Sequence, residues 1–188
     1  PFSLMYGNET VKETVDNAFT GAFINKAIFE EINETIAMNK VELDLFAEAV
    51  LDRFRNPFIK HNLSSIALNS ISKFKVRVLP SVLGYIEKFD KVPTNLTFAF
   101  ACLIRFYKGS WNGETLPVDD SKEITDAFQQ IWASNSVTKV VAQTLSNQDF
   151  WGEDLTKIKG LSGALVLALN EIEANGIEQG FVNFNKQV

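Results

Sequence analysis

One cysteine and one histidine stand in 188 residues, and that scarcity excludes a good deal. Cys102 has no partner for an internal disulfide. A zinc site would have to rest on carboxylates, against the usual nitrogen and sulfur donors, so no metal is expected. Neither a G-x-G-x-x-G nor a G-x-x-x-x-G-K-[ST] occurs, so there is no glycine loop to cradle the phosphates of a nucleotide. Positive charge is not in excess: 18 Lys and Arg against 23 Asp and Glu give a net charge of −5, without the basic footprint of a nucleic-acid binder. No apolar run approaches the ~18 residues of a membrane span. No secretory signal opens the chain, so the sequons at Asn8, Asn33, Asn62 and Asn95 carry no weight. These absences point to the cytosol, with neither nucleic acid nor membrane as partner.

What is present is helical patterning. Apolar residues make up 46% of a chain long enough for one well-buried core. Asn8 is a candidate cap for a first helix with Val11, Val15 and Ala18 on one face. Phe23, Ala27, Ile28, Ile32 and Ile36 follow at spacings of three and four. Asn39, with Glu42 three residues on, predicts a helix N-terminus before a stripe of Phe46, Ala49, Val50 and Phe54. Pro93 suits the first turn of a strongly apolar helix through Phe98, Phe100, Leu103 and Ile104 that Gly109 ends. This helix reads as the centre of the core, with Cys102 as an inert buried thiol. "WNGETLP" has an Asn-Gly turn able to hold a short hairpin. Ile124, Ala127, Phe128, Ile131 and Trp132 form the inward face of a later helix, "SVTKVVAQTL" gives another, and a last one closes at Gly176. The expected fold is a single all-α domain of about eight to ten helices over residues 1–188.

One stretch concentrates polar chemistry: "NPFIKHNLSSIALNSISKFKVRVLP", Asn56 to Pro80. At ~100° per residue, Ile59, Leu63, Ile66, Ala67, Ile71, Phe74 and Val78 share one arc, and His61, Ser65, Asn69, Ser72 and Lys75 the other. Lys73 falls at the margin. Asn69 and Ser70 are poor interior residues and good caps, so a break is expected near "LNSIS". Imidazole, hydroxyl, amide and ammonium groups together suit a hydroxylated anion. The bland alternatives are a solvated helix face, a turn at Asn56-Pro57, a cap at Asn69 and an Arg77–Glu87 ion pair.

"RFRNPFIKH", Arg53 to His61, resembles the R-F-x-N-P-x-[IL]-x-[HD] signature of the long-chain polyol dehydrogenase family, which includes mannitol dehydrogenases. The block Ile66 to Phe74, "IALNSISKF", replaces the family's frequent D-G-S-x-K-x-P and is similar to the branch that reduces tagaturonate. "AIFEEI", Ala27 to Ile32, resembles the helix preceding the signature. The resemblance is strongest from Phe23 to Pro80 and weak after Trp111.

It implies a two-domain enzyme in which a Rossmann-type N-terminal domain binds NAD and a helical domain of the mannitol dehydrogenase type contacts the sugar acid. The family's acid/base motif K-x-x-x-x-N-x-x-H is not found, since Phe58 stands three before the only histidine. The chain opens "PFSLMYG" without methionine, as a piece lying just after that motif would. The expectation is therefore a substrate-side domain without catalytic or cofactor-binding residues of its own, partnered by its own N-terminal Rossmann domain. Its substrate contacts are expected from His61, Lys73 and Lys75, with Asn56, Asn69, Ser72 and Arg77 behind them. The rivals are a mannonate/fructuronate or mannitol-type domain, and a non-catalytic helical interaction module.

Overall fold

The computed structural model describes residues 1–134 and 136–188. Its axis is α8 (Thr94–Phe106) packed along α12 (Leu161–Asn185). Of the 13 residues of α8, 11 are buried, Cys102 among them, as a helix apolar on every side requires. Burial pushes the Cys102 thiol far up, so it stays protonated and unreactive. Around the axis lie α1 (Phe2–Tyr6), α2 (Val11–Asp16), α3 (Ala18–Lys26) and a π-helical segment (Ala27–Ile32), then α4 (Lys40–Phe54), α5 (Leu63–Ile66), α6 (Ser70–Arg77) and α7 (Leu79–Phe89). The remainder is α9 (Lys122–Trp132), α10 (Val137–Leu145) and α11 (Gln148–Trp151). One antiparallel hairpin, β1 (Ser110–Trp111) with β2 (Glu114–Thr115), is closed by Asn112 and Gly113, both at positive φ as an Asn-Gly turn demands.

Local chemistry starts several of the helices. Asn39 caps α4 through the Val41 and Glu42 N–H groups, as the sequence predicts. For α2 the cap is Thr10, in a reciprocal box with Glu13; the Asn8 amide instead donates to Ser3 and Thr20. Along α4 the buried stripe is Leu43, Ala47 and Leu51, while Phe46 stays 66% exposed, so the expected Phe46–Phe54 stripe is not the one facing the core. Both stripes are apolar and adjacent, and periodicity cannot rank them. Asn95, a formal sequon, is buried with its amide on the Phe23 carbonyl.

Gly176 does break the last helix, at φ 75° and ψ −168°, but the chain resumes helix beyond it to Asn185. Only glycine holds that backbone region without strain. A methyl group there would meet nothing within 4 Å, so the penalty is purely conformational. Gly176→Ala is expected to cost about 1–3 kcal/mol. A urea midpoint equal to that of the parent chain would show that the kink is dispensable.

Candidate functional site

The polar stretch does not form one helix. Residues 56–62 are irregular, and their far end pairs with the turn before α2: Val11 N–H donates to His61 O at 3.0 Å, and Leu63 N–H to Glu9 O at 2.9 Å. α5 runs for one turn, and α6 begins after Asn69, which takes the left-handed conformation at φ 52°. The predicted break is therefore where "LNSIS" places it. Ala67, Ile71 and Phe74 face the core as expected, whereas Ile59 and Ile66, 50% and 46% exposed, do not, because the turn at Asn69 interrupts the helical register.

Those irregularities sort the candidates. Asn56 Oδ1 accepts the Phe58 N–H at 3.0 Å and so forms a local turn. His61 is exposed, with only its backbone engaged. Asn69 is exposed and gives its N–H to Asp119 O at 2.9 Å, and Ser72 Oγ donates back to Asn69 O at 3.1 Å. Lys75 leans on Gly152, where a built methyl group would lie 3.2 Å from its Nζ. None of these five lines the main apolar feature beside α6.

That feature is a cavity of about 440 Å³ between α1, α3, the π-helical segment and α6. Its walls are almost wholly apolar: Phe2, Val15, Ile24, Ile28, Ile66, Phe74 and Leu103 among them. The hydroxyls in the wall are already engaged, Ser3 Oγ lying 2.6 Å from Thr14 Oγ1 and Ser70 Oγ donating to the Ala67 carbonyl at 2.7 Å. Two cations remain, Lys73 and Arg77, one helical turn apart on the same face of α6. Lys73 Nζ donates to Ile66 O at 2.9 Å, which leaves its other N–H groups free to bind. Arg77 makes no ion pair among the described residues, so the Glu87 partner that the sequence offers is not used.

Beside it lies a second apolar cavity of about 590 Å³, lined by Ile36, Met38, Phe46 and Val50 and sharing Ile28 and Ile32 with the first. Together they make one apolar groove, with Lys73 and Arg77 in the wall of the first cavity and Glu42 in that of the second. Adjacent cations repel, and an anion bridging them relieves that repulsion. The groove itself is unsuited to a sugar, since burying hydroxyls among hydrocarbon without partners costs free energy. It suits the apolar side chains of another folded unit.

Two groups lay outside the sequence reading. Tyr107, at the end of α8, is buried and accepts the Ile71 N–H at 3.2 Å while donating its own proton to Asp120. Burial, and then the Asp120 carboxylate, push its phenol far above the ordinary tyrosine value. Glu31, on the π-helical segment, is buried with its carboxylate on the first N–H groups of α8. Burial raises its pKa more than those hydrogen bonds lower it. No short sequence motif announces either contact, since the partners are far apart in the chain. Among the described residues there is no cluster of metal-ligating side chains and no helix long and apolar enough to cross a membrane.

Comparison with known proteins adds three findings. Residues 1–173 match the family model for the mannitol dehydrogenase C-terminal domain. An altronate oxidoreductase of Enterobacter sp. (strain 638) is 42% identical over 182 residues, covering 94% of this chain and 38% of the relative. One from Escherichia coli is 40% identical over 184 residues, covering 95% and 38%. The chain thus spans under two fifths of the length of these relatives. Among solved structures, Pseudomonas fluorescens mannitol 2-dehydrogenase, in a ternary complex with NAD and D-mannitol, superposes with a TM-score of 0.86 at 16% identity. That match covers 100% of this chain and 37% of the other.

Proposed function

The chain belongs to the family of mannitol dehydrogenase C-terminal domains, and from that premise we propose that it is the substrate-side domain of an NAD-dependent oxidoreductase interconverting D-tagaturonate and D-altronate. The observation that carries the reading is the Lys73–Arg77 pair at the edge of an apolar groove. The two cations receive the carboxylate of the sugar acid, and the groove receives the NAD-binding Rossmann domain. The "LNSIS" block and the altronate oxidoreductase relatives favour this substrate over mannonate or mannitol.

Reduction of the keto group needs a hydride, which NADH supplies, and a proton delivered to the developing alkoxide by a group within hydrogen-bond reach. In this reading both lie in the companion half, and the helical domain orients the substrate. Orientation is itself a large part of the rate, because it removes rotational and translational freedom before the chemical step. The domain operates in the cytosol, as a sugar-acid catabolic enzyme would.

The test is NADH oxidation with tagaturonate. The isolated chain is expected to give no turnover, and the complete enzyme carrying this domain to turn over tagaturonate well ahead of fructuronate and fructose. Turnover by the isolated chain, or a preference for fructose in the complete enzyme, would overturn the assignment.

A further inference from the structure

We infer that Tyr107 and Asp120 are a positioning pair that fixes the first turn of α6 and so sets the direction in which Lys73 presents its ammonium to an anionic sugar acid. The inference rests on the assignment of Lys73 to the substrate site.

The start of α6 is unusual. Asn69 holds the N-cap position, but in its left-handed conformation its side chain accepts none of the helix's first N–H groups. Ordinarily the cap's own oxygen takes the N–H of the second or third helical residue. Here the second residue is Ile71, and its N–H goes to the phenolic oxygen of Tyr107, 36 residues away, at 3.2 Å. A phenol serves as such an acceptor best when its own proton is drawn elsewhere. Asp120 draws it, while its other oxygen accepts the Ser121 N–H at 2.8 Å. The neighbouring Asp119 carbonyl takes the Asn69 N–H at 2.9 Å. Residues 69–71 are thus gripped twice by one loop and one ring.

The ring cannot swing. It is 6% exposed and stacks on Phe128 with centroids 4.4 Å apart, and Phe128 stacks in turn on Phe150 at 5.0 Å. Lys73 begins the next turn, its N–H on Asn69 O at 3.2 Å. Whatever fixes Asn69 and Ile71 therefore fixes the roll of α6 about its axis. A long side chain turns a small roll into a displacement of about 1 Å at its tip, enough to cost orders of magnitude in a productive geometry.

Tyr107→Phe removes only the hydroxyl and keeps the aromatic stack. In the complete enzyme it is expected to raise the KM for tagaturonate about tenfold, leave the KM for NADH unchanged, and add nothing in a Lys73→Met background. Asp120→Asn, made alone, keeps an oxygen acceptor for the phenol and is expected to hold the KM within about threefold of the parent value. If Lys73→Met raises the KM but Tyr107→Phe multiplies it equally in both backgrounds, the pair is merely structural and the inference fails alone. If Lys73→Met leaves the KM for tagaturonate unchanged, the substrate assignment falls and the inference with it.

Discussion

In the complete enzyme, Lys73→Met is expected to raise the KM for tagaturonate by about one to two orders of magnitude and to leave the KM for NADH unchanged. The geometry sets both halves of that result. Lys73 stands at the groove edge with one N–H on Ile66 O, so its ammonium is held and pointed rather than free in solvent. A hydrogen bond between charged partners contributes about 1.5–3 kcal/mol. At about 1.4 kcal/mol per tenfold, its loss corresponds to ~10–150-fold, and methionine keeps the packing of the stem while deleting the charge. Arg77→Ala is expected to act in the same direction, at about tenfold, because its exposed guanidinium is not anchored. His61→Ala and Lys75→Met, whose side chains lie outside the groove, are expected to stay within about threefold. Steady-state kinetics on the four variants separates a local carboxylate site from a diffuse positive field. Equal losses in all four would mean the stretch acts only through its net charge.

The ordering within this set marks what the sequence could and could not disclose. Helical facing places Lys73 at the margin between the core arc and the polar arc, but facing and resemblance together rank it level with His61 and Lys75, and only the fold puts it in the cavity wall. Arg77 is less legible: a surface guanidinium with Glu87 within reach in sequence has an ordinary explanation, and only the fold shows that the pair is not made. Where burial is extreme, pattern suffices. α8 and α9 lie as their apolar spacing requires, and Asn-Gly turns the hairpin at Asn112 and Gly113. Where an element has two adjacent apolar stripes, pattern fails, as on α4, since the choice is made by what packs against it. The cap of α6 shows the same limit more sharply. "LNSIS" announces a helix start, and it invites the inference that Asn69 caps it. The capping oxygen instead comes from Tyr107, through a contact 36 residues long that no local motif encodes.

Glu31→Ala is expected to damage the fold as much as truncating a core aromatic. The N-cap position of α8 is Pro93, which has no side-chain oxygen to cap it. The cap is supplied by Glu31: Oε1 accepts the Asn95 N–H at 2.7 Å and Oε2 the Leu96 N–H at 2.8 Å. A carboxylate there also meets the positive end of the helix dipole. Each buried donor left unpaired costs about 1–3 kcal/mol, so alanine is expected to lose about 3–5 kcal/mol, seen as a lower urea midpoint. At roughly 2–4 °C per kcal/mol for a domain of this size, the melting temperature drops by about 10 °C. Glu31→Gln satisfies one N–H and turns an amide donor on the other, and should lose about 2 kcal/mol. The pH dependence distinguishes a buried charge from a mere spacer. Because burial raises the folded-state pKa, the native chain binds this proton more readily than the unfolded one. Stability from this group is therefore greatest below the ordinary glutamate value, declines as pH rises through the raised folded value, and is flat above it. The stability difference between the parent and Glu31→Gln should decline across that window; a difference that grew with pH would mean that the hydrogen bonds and the helix dipole outweigh burial. The consequence reaches the site, because Glu31 sits between Ile28 and Ile32, which wall both cavities. Cutting its anchor to α8 frees the wall on which the groove depends.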